Sequence, residues 1–282
     1  MKEIENIEKP ESSRNQKNAE THHDVNLEAP EISHEINNES NVYPVDIKGS
    51  DNEMGEEVYQ AQVRAGFIRK VYGILSIQLM MTFGTVLLFQ LNPFKSFIKL
   101  HHNLAGNILI FCSIAFLVLF LVLVCYRDLS RTVPYNYYFL FAITICESFA
   151  CGIISSMYSF QIVATALALT IITTLAITFY ACTTKTDISY FRMGIFIIFS
   201  QVFMIGLIAM LFRIDALYTL YTFLMTIVIG LYLVYDTQLI MGKFGVAYSV
   251  DDYIFATLEI YMDIIRLFLL ILRIVARYSR RN

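Results

Sequence analysis

The sequence predicts an all-α polytopic membrane protein, a bundle of seven transmembrane helices behind a polar N-terminal extension. Three observations carry that reading. Of 282 residues, 56% are hydrophobic and only 16% charged, against roughly 45–50% and about 25% in soluble domains. Charge is divided along the chain: residues 1–57 hold five Lys/Arg against fifteen Asp/Glu, and residues 58–282 hold sixteen against nine. Seven apolar runs, each near the ~20 residues that cross a bilayer core, follow one another with short joints. This profile excludes a soluble enzyme, a nucleic-acid-binding domain and a fibrous protein.

Residues 1–57 are rich in Glu, Asn, Ser and Lys and poor in aromatics. Such a segment buries too little apolar surface to offset chain entropy, so it is expected to be a disordered acidic tail. It has no apolar signal-peptide core, so the first run is expected to act as its own insertion signal. Residues 58–282 form the expected membrane domain. Its first stretch, 58–70, reads as a short amphipathic entry helix ending in Arg69-Lys70.

The runs are 71–91, 104–126, 134–158, 160–182, 191–211, 217–239 and 253–275. Asn92-Pro93 closes the first, and Arg127 to Pro134 separates the second from the third. Tyr158-Ser159, Lys185 to Arg192, Arg213 to Ala216 and Gly242 to Asp252 mark the remaining joints. Joints this short make neighbouring spans antiparallel, and only helices satisfy every backbone group over such lengths in lipid. Gly152, Ala150, Gly194, Gly206, Gly230 and Ala256 are expected where helices approach closely. The five cysteines all lie in or at the ends of apolar runs, as small apolar filler rather than a disulfide framework.

Orientation follows from Lys/Arg near the spans. With a cytosolic N-terminus, the cytosolic side gains Arg64, Arg69, Lys70, Arg127, Arg131, Lys185, Arg192 and Lys243. The opposite side gains Lys95, Lys99 and Arg213, together with Arg273, Arg277, Arg280 and Arg281 from the C-terminal end. That end opposes the rule. Either it is lumenal despite its charge, or the last run does not cross fully.

Chemistry is confined to a few ionisable residues. All five histidines lie outside the runs, which excludes a histidine relay or zinc site within the membrane. Glu147, Asp236, Glu259, Asp263 and Arg266 lie inside runs, where each charge costs about 2.5–3.5 kcal/mol at a helix centre and tends to mark function. Asp236 sits near the end of the sixth run and Asp263 within the seventh. On adjacent helices, two close carboxyl groups share a proton and titrate as a pair. Fully ionised, the same pair suits a hard cation such as Ca²⁺. Glu259, Asp263 and Arg266 share one helix face by their spacing. Arg266 either neutralises the site without a metal or snorkels away from it. Glu147 is a pore or packing residue.

The segments around both aspartates resemble the Bax-inhibitor/Lifeguard family. They are Val234-Tyr235-Asp236-Thr237-Gln238-Leu239-Ile240-Met241-Gly242, and Asp251-Asp252-Tyr253-Ile254 running on to Leu258-Glu259-Ile260-Tyr261-Met262-Asp263-Ile264-Ile265. Phe67 to Tyr72, Gln78-Leu79, Pro134-Tyr135-Asn136 and Ser155-Ser156-Met157-Tyr158 extend the similarity over roughly 64–275. The resemblance implies a seven-helix bundle with the last helix central. It implies no enzyme, but a pH-sensitive Ca²⁺ leak of an internal membrane that suppresses apoptosis, with Asp236 and Asp263 as pH sensor and ion path. It also implies that a basic residue after the second span, Arg131 or Arg127, steadies the closed state by bonding to Asp236. The expected partners are the lipid bilayer, Ca²⁺ and death-pathway membrane proteins. The expected membranes are the endoplasmic reticulum or Golgi, with the plasma membrane or endolysosome as alternatives. Arg266 departs from the family, which usually has an uncharged residue there. The alternative function is a non-conducting scaffold acting on death-pathway partners. A lesser one is an intramembrane aspartyl protease, disfavoured because Ile260-Tyr261-Met262 precedes Asp263 where that chemistry uses glycines.

Overall fold

A computed structural model describes residues 47–186, 192–243 and 248–281, with side chains described from residue 55 onward except at 192 and 281. The chain divides into two units, Met1–Ile47 and Lys48–Asn282. The first lies outside the described residues but for Ile47, as does most of the acidic tail. The second is helical, with no strand among the described residues.

Its elements are α1 (Ile47–Gln90), α2 (Asn92–Leu100), α3 (His102–Cys125), α4 (Arg127–Arg131), α5 (Tyr135–Ser156), α6 (Phe160–Thr183), α7 (Arg192–Leu211), α8 (Asp215–Met241), a 3-10 turn (Val250–Asp252) and α9 (Tyr253–Arg281). The joints fall where the sequence marks them. Extended backbone at Leu91 ends α1, and Pro93 opens α2, where its missing N–H is harmless. The separate entry helix over 58–70 is not formed. That stretch is continuous with the first span, and α1 begins inside the acidic stretch, because no proline interrupts the chain between Ile47 and Gln90.

Among the described residues, six helices are long and apolar enough to cross a membrane: Gly55–Gln90, His102–Cys125, Tyr135–Ser156, Phe160–Thr183, Met193–Leu211 and Asp215–Met241. The expected seventh, α9, has 29 residues but is too charged to count among them, holding Glu259, Asp263, Arg266, Arg273 and Arg277. It is nevertheless buried almost continuously from Tyr253 to Leu272. It packs against α8, α6 and α5 and touches α4. Buried hydroxyls attach α1 to this core. Thr82 Oγ1 lies 2.9 Å from Ser148 Oγ and 2.8 Å from Tyr261 Oη, and Gln78 Nε2 donates to Thr144 Oγ1 at 2.8 Å. In an apolar medium such bonds fix helix register.

Small residues permit the close crossings, with one exception. A Cβ on Gly206 would stand 2.6 Å from the Tyr221 ring, and one on Gly152 3.1 Å from Phe89. Gly194, expected at a crossing, faces open space.

Two cations hold the helix ends around the aspartate-bearing part of the bundle. Arg64 on α1 donates to Leu239 O at 2.6 Å and Tyr248 O at 2.7 Å, capping the end of α8. Lys243 Nζ donates to Ala181, Cys182 and Thr184 carbonyls at the end of α6. Both satisfy carbonyls that a helix C-terminus leaves bare.

Candidate functional site

A cavity of about 980 Å³ opens between α7, α8 and α9, with Phe120 of α3 and Arg127 of α4 on its wall. Its wall carries Asp236, Glu259, Asp263, Arg266 and Arg127, with Tyr232, Tyr235 and Tyr248 among aromatic and aliphatic side chains. Five of the seven residues singled out from the sequence therefore share one space.

Asp236 reaches it from the last turns of α8, which Gly242 terminates. The Gly242 backbone has φ 68°, and its N–H bonds back to Gln238 O and Leu239 O, the left-handed cap that favours glycine. Asp263 reaches the cavity from α9, one turn from Glu259 on one side and near Arg266 on the other. Both aspartates are buried, at 8% and 5% exposure, and their carboxyl groups are within side-chain hydrogen-bonding reach. Asp263 Oδ2 is buried and has no hydrogen-bond partner among the described residues. Arg266 Nη1 stands 3.7 Å from Asp263 Oδ1. This is an ion pair longer than a hydrogen bond, and it does not satisfy the second oxygen. The expected shared face of Glu259, Asp263 and Arg266 is thus the face that lines the cavity.

Two residues fall elsewhere. Glu147, on α5, is not part of the cavity wall. Cys151 Sγ approaches its Oε1 at 4.0 Å, and it lies within the electrostatic reach of Arg266. Arg131 is bidentate to Asp252, with Nε to Oδ1 at 2.7 Å and Nη2 to Oδ2 at 3.0 Å. It therefore does not supply the expected lock on Asp236. The 3-10 turn presents both Asp252 carboxylate oxygens to the Nε/Nη2 edge of the guanidinium, the bidentate geometry that an Arg–carboxylate pair favours. Arg127, the other candidate, lines the cavity with its guanidinium 5.3 Å from the centre of the Phe255 ring.

The sequence reading missed Asp252 and Tyr253 as structural anchors. Asn136 Nδ2 donates to Tyr253 Oη at 2.9 Å, and Lys70 Nζ lies 3.2 Å from the Tyr253 ring centre. Together with Arg131, these contacts pin the start of α9 to α1, α4 and α5. The only signal was the run Asp251-Asp252-Tyr253 directly before an apolar stretch, which marks a helix start without naming its partners.

The arrangement offers two close carboxyl groups, a third acid and three tyrosines around an open space. Among the described residues no three His, Cys, Asp or Glu side chains converge as a metal cage. Strong Ca²⁺ sites gather six to eight oxygens. Two carboxylates with an unsatisfied oxygen suit weak, exchangeable cation binding.

Comparison with known proteins gives a consistent result. Residues 64–281 match the family described as Inhibitor of apoptosis-promoting Bax1. The chain is 34% identical over 220 residues to Protein lifeguard 3 of Homo sapiens, covering 76% of this chain and 69% of the relative. It is 33% identical to the Mus musculus protein of the same name, over 80% of this chain and 74% of the relative. Identity to Protein lifeguard 4 of Mus musculus is 30%, over 85% of this chain and 97% of the relative.

Proposed function

The chain belongs to the Bax-inhibitor/Lifeguard family of membrane proteins, and on that premise we propose that it is a pH-sensitive Ca²⁺ leak that lowers stored Ca²⁺ and suppresses apoptosis. The observation that carries this reading is the meeting of Asp236 and Asp263 at one open cavity, with Asp263 Oδ2 left without a partner. Two carboxyl groups this close hold one proton between them over part of the pH range. In that state the site carries one negative charge. Loss of the proton gives a doubly charged site that attracts a divalent cation. Proton and Ca²⁺ then compete for the same oxygens, which is the physical content of pH sensitivity here.

The proposal places the protein in the endoplasmic reticulum or Golgi with its N-terminus in the cytosol. The test is Ca²⁺ flux against pH for the purified chain in liposomes. Wild type should conduct with a step in its pH profile. Asp263→Asn and Asp236→Asn, folded by size exclusion, should each remove that step. Absence of flux at every pH would instead leave a non-conducting scaffold that acts through death-pathway partners.

A further inference from the structure

We propose that Arg266 is a tethered cation that competes with Ca²⁺ for the aspartate pair, and that Glu147 is the second post to which its guanidinium moves when Ca²⁺ enters. The inference rests on the reading of the pair as a cation site, and it assigns the intrinsic competitor of that site.

Arg266 lies on the cavity wall. Its Nη1 is 3.7 Å from Asp263 Oδ1, and its side chain is 50% exposed, against 7% for that of Asp263. The acid is fixed and enclosed; the cation beside it is loosely held. At that separation it neutralises Asp263 through space without closing a hydrogen bond, and Oδ2 stays bare. A long guanidinium stem that is half uncovered has room to swing.

The second acid is Glu147. It belongs to a different helix, α5, and sits off the cavity wall, within charge–charge range of Arg266. Its approach to the Cys151 thiol, at 4.0 Å, is too weak a contact to occupy a carboxylate. Arg266 is thus paired with an acid of the cavity and within charge–charge range of one off its wall. The other charged groups on the cavity wall are Asp236, Glu259 and Arg127. The Arg127 guanidinium lies 5.3 Å from the Phe255 ring centre, and the ion pair with Asp263 is made by Arg266. A divalent cation entering the pair repels the guanidinium, and Glu147 receives it. The acid on α5 thereby lowers the work of emptying the site.

The test is a double-mutant cycle read by Tb³⁺, a luminescent stand-in for Ca²⁺, on the full chain purified in detergent. The chain has no tryptophan, so sensitised emission reports tyrosines, and Tyr232, Tyr235 and Tyr248 line the cavity. Arg266→Gln should tighten Tb³⁺ binding by at least about tenfold, a lower bound for removing one charge a few ångströms from the site at an effective dielectric of about 20. Glu147→Gln should weaken it, because the guanidinium then stays on Asp263. The double variant should bind like Arg266→Gln alone. Arg266→Lys, which keeps the charge, should stay near wild type.

An unchanged or weaker affinity in Arg266→Gln overturns the proposal. So does a Glu147→Gln effect that persists undiminished without Arg266, or a Lys variant that tightens as the Gln variant does. If Arg266→Gln does not fold, Glu147→Gln decides by its sign, and an affinity that does not fall refutes the second post. Flux in liposomes separates this inference from the leak. The expected cycle without wild-type flux rejects the leak and keeps the tethered cation. Wild-type flux with a flat cycle does the reverse.

Discussion

At the scale of the residue, what distinguishes the aspartate site is how firmly its surroundings are fixed while its charges are not. Gly242 shows the fixed part. Its φ of 68° ends α8 shortly after Asp236, and a Cβ there would stand 2.8 Å from Arg64 Nε. Gly242→Ala therefore meets both a left-handed backbone penalty of about 1–2 kcal/mol and a collision with the cap of α8. Its thermal midpoint in detergent should fall. Gly194→Ala is the control, because a Cβ there meets nothing within 4 Å and alanine favours a helix by about 1 kcal/mol over glycine. Its midpoint should hold or rise. A fall in both, by similar amounts, would show that the cap has no special role. Asp236 and Asp263 were legible in the sequence because an acid within an apolar run is conspicuous. Asp252 was not, because an acid just outside a run is ordinary until its partner is known.

At the scale of the element, the start of α9 is the joint that sequence reasoning resolved least. Span boundaries were readable because Asn92-Pro93 and Gly242 have local meaning, independent of the rest of the fold. The partner of Arg131 was not readable. A resemblance suggested Asp236 on α8, and the fold instead brings Asp252 to within 2.7 Å. Arg131 is 42% exposed on its side chain, so this pair adds little to global stability. Its effect is local, tying α4 to the 3-10 turn before α9. Arg131→Ala and Asp252→Ala should each speed amide exchange over 248–257 with little change in global unfolding, and the double variant should exchange no faster than either. Lys70 and Asn136 still hold Tyr253 in those variants, so the opening should not spread along the helix. Additive effects of the two substitutions would mean that the residues act separately.

At the scale of the whole molecule, the unsettled point in the sequence was the side of the basic C-terminal stretch, since Arg273, Arg277, Arg280 and Arg281 oppose the bias of the other loops. The helices supply an argument that charge counting lacks. Arg64 on α1 and the loop carrying Tyr248 both meet the Leu239 end of α8. At the other end of α8, Arg277 donates to Asp215 O at 3.1 Å, bonds Thr219 Oγ1, and sits 4.8 Å from the Tyr218 ring centre. Helix α9 therefore runs antiparallel to α8 along the whole of it, and α8 is itself long and apolar enough to cross. A helix of 29 residues is about 44 Å long, more than the roughly 30 Å hydrocarbon core. Its charges also have places to go: Glu259 and Asp263 face the cavity, and Arg277 is engaged by the start of α8 rather than left as free loop charge. The chain should accordingly cross a seventh time, with its two ends on opposite sides of the membrane. Ser279→Cys, in a chain whose five native cysteines are replaced by alanine, should resist an impermeant maleimide in intact microsomes and react once the membrane is opened. Protease added outside should meanwhile remove residues 1–46. Labelling of the Ser279→Cys chain in sealed vesicles whose tail is also cleaved would place both ends in the cytosol and reduce α9 to a helix that enters the bundle without leaving it.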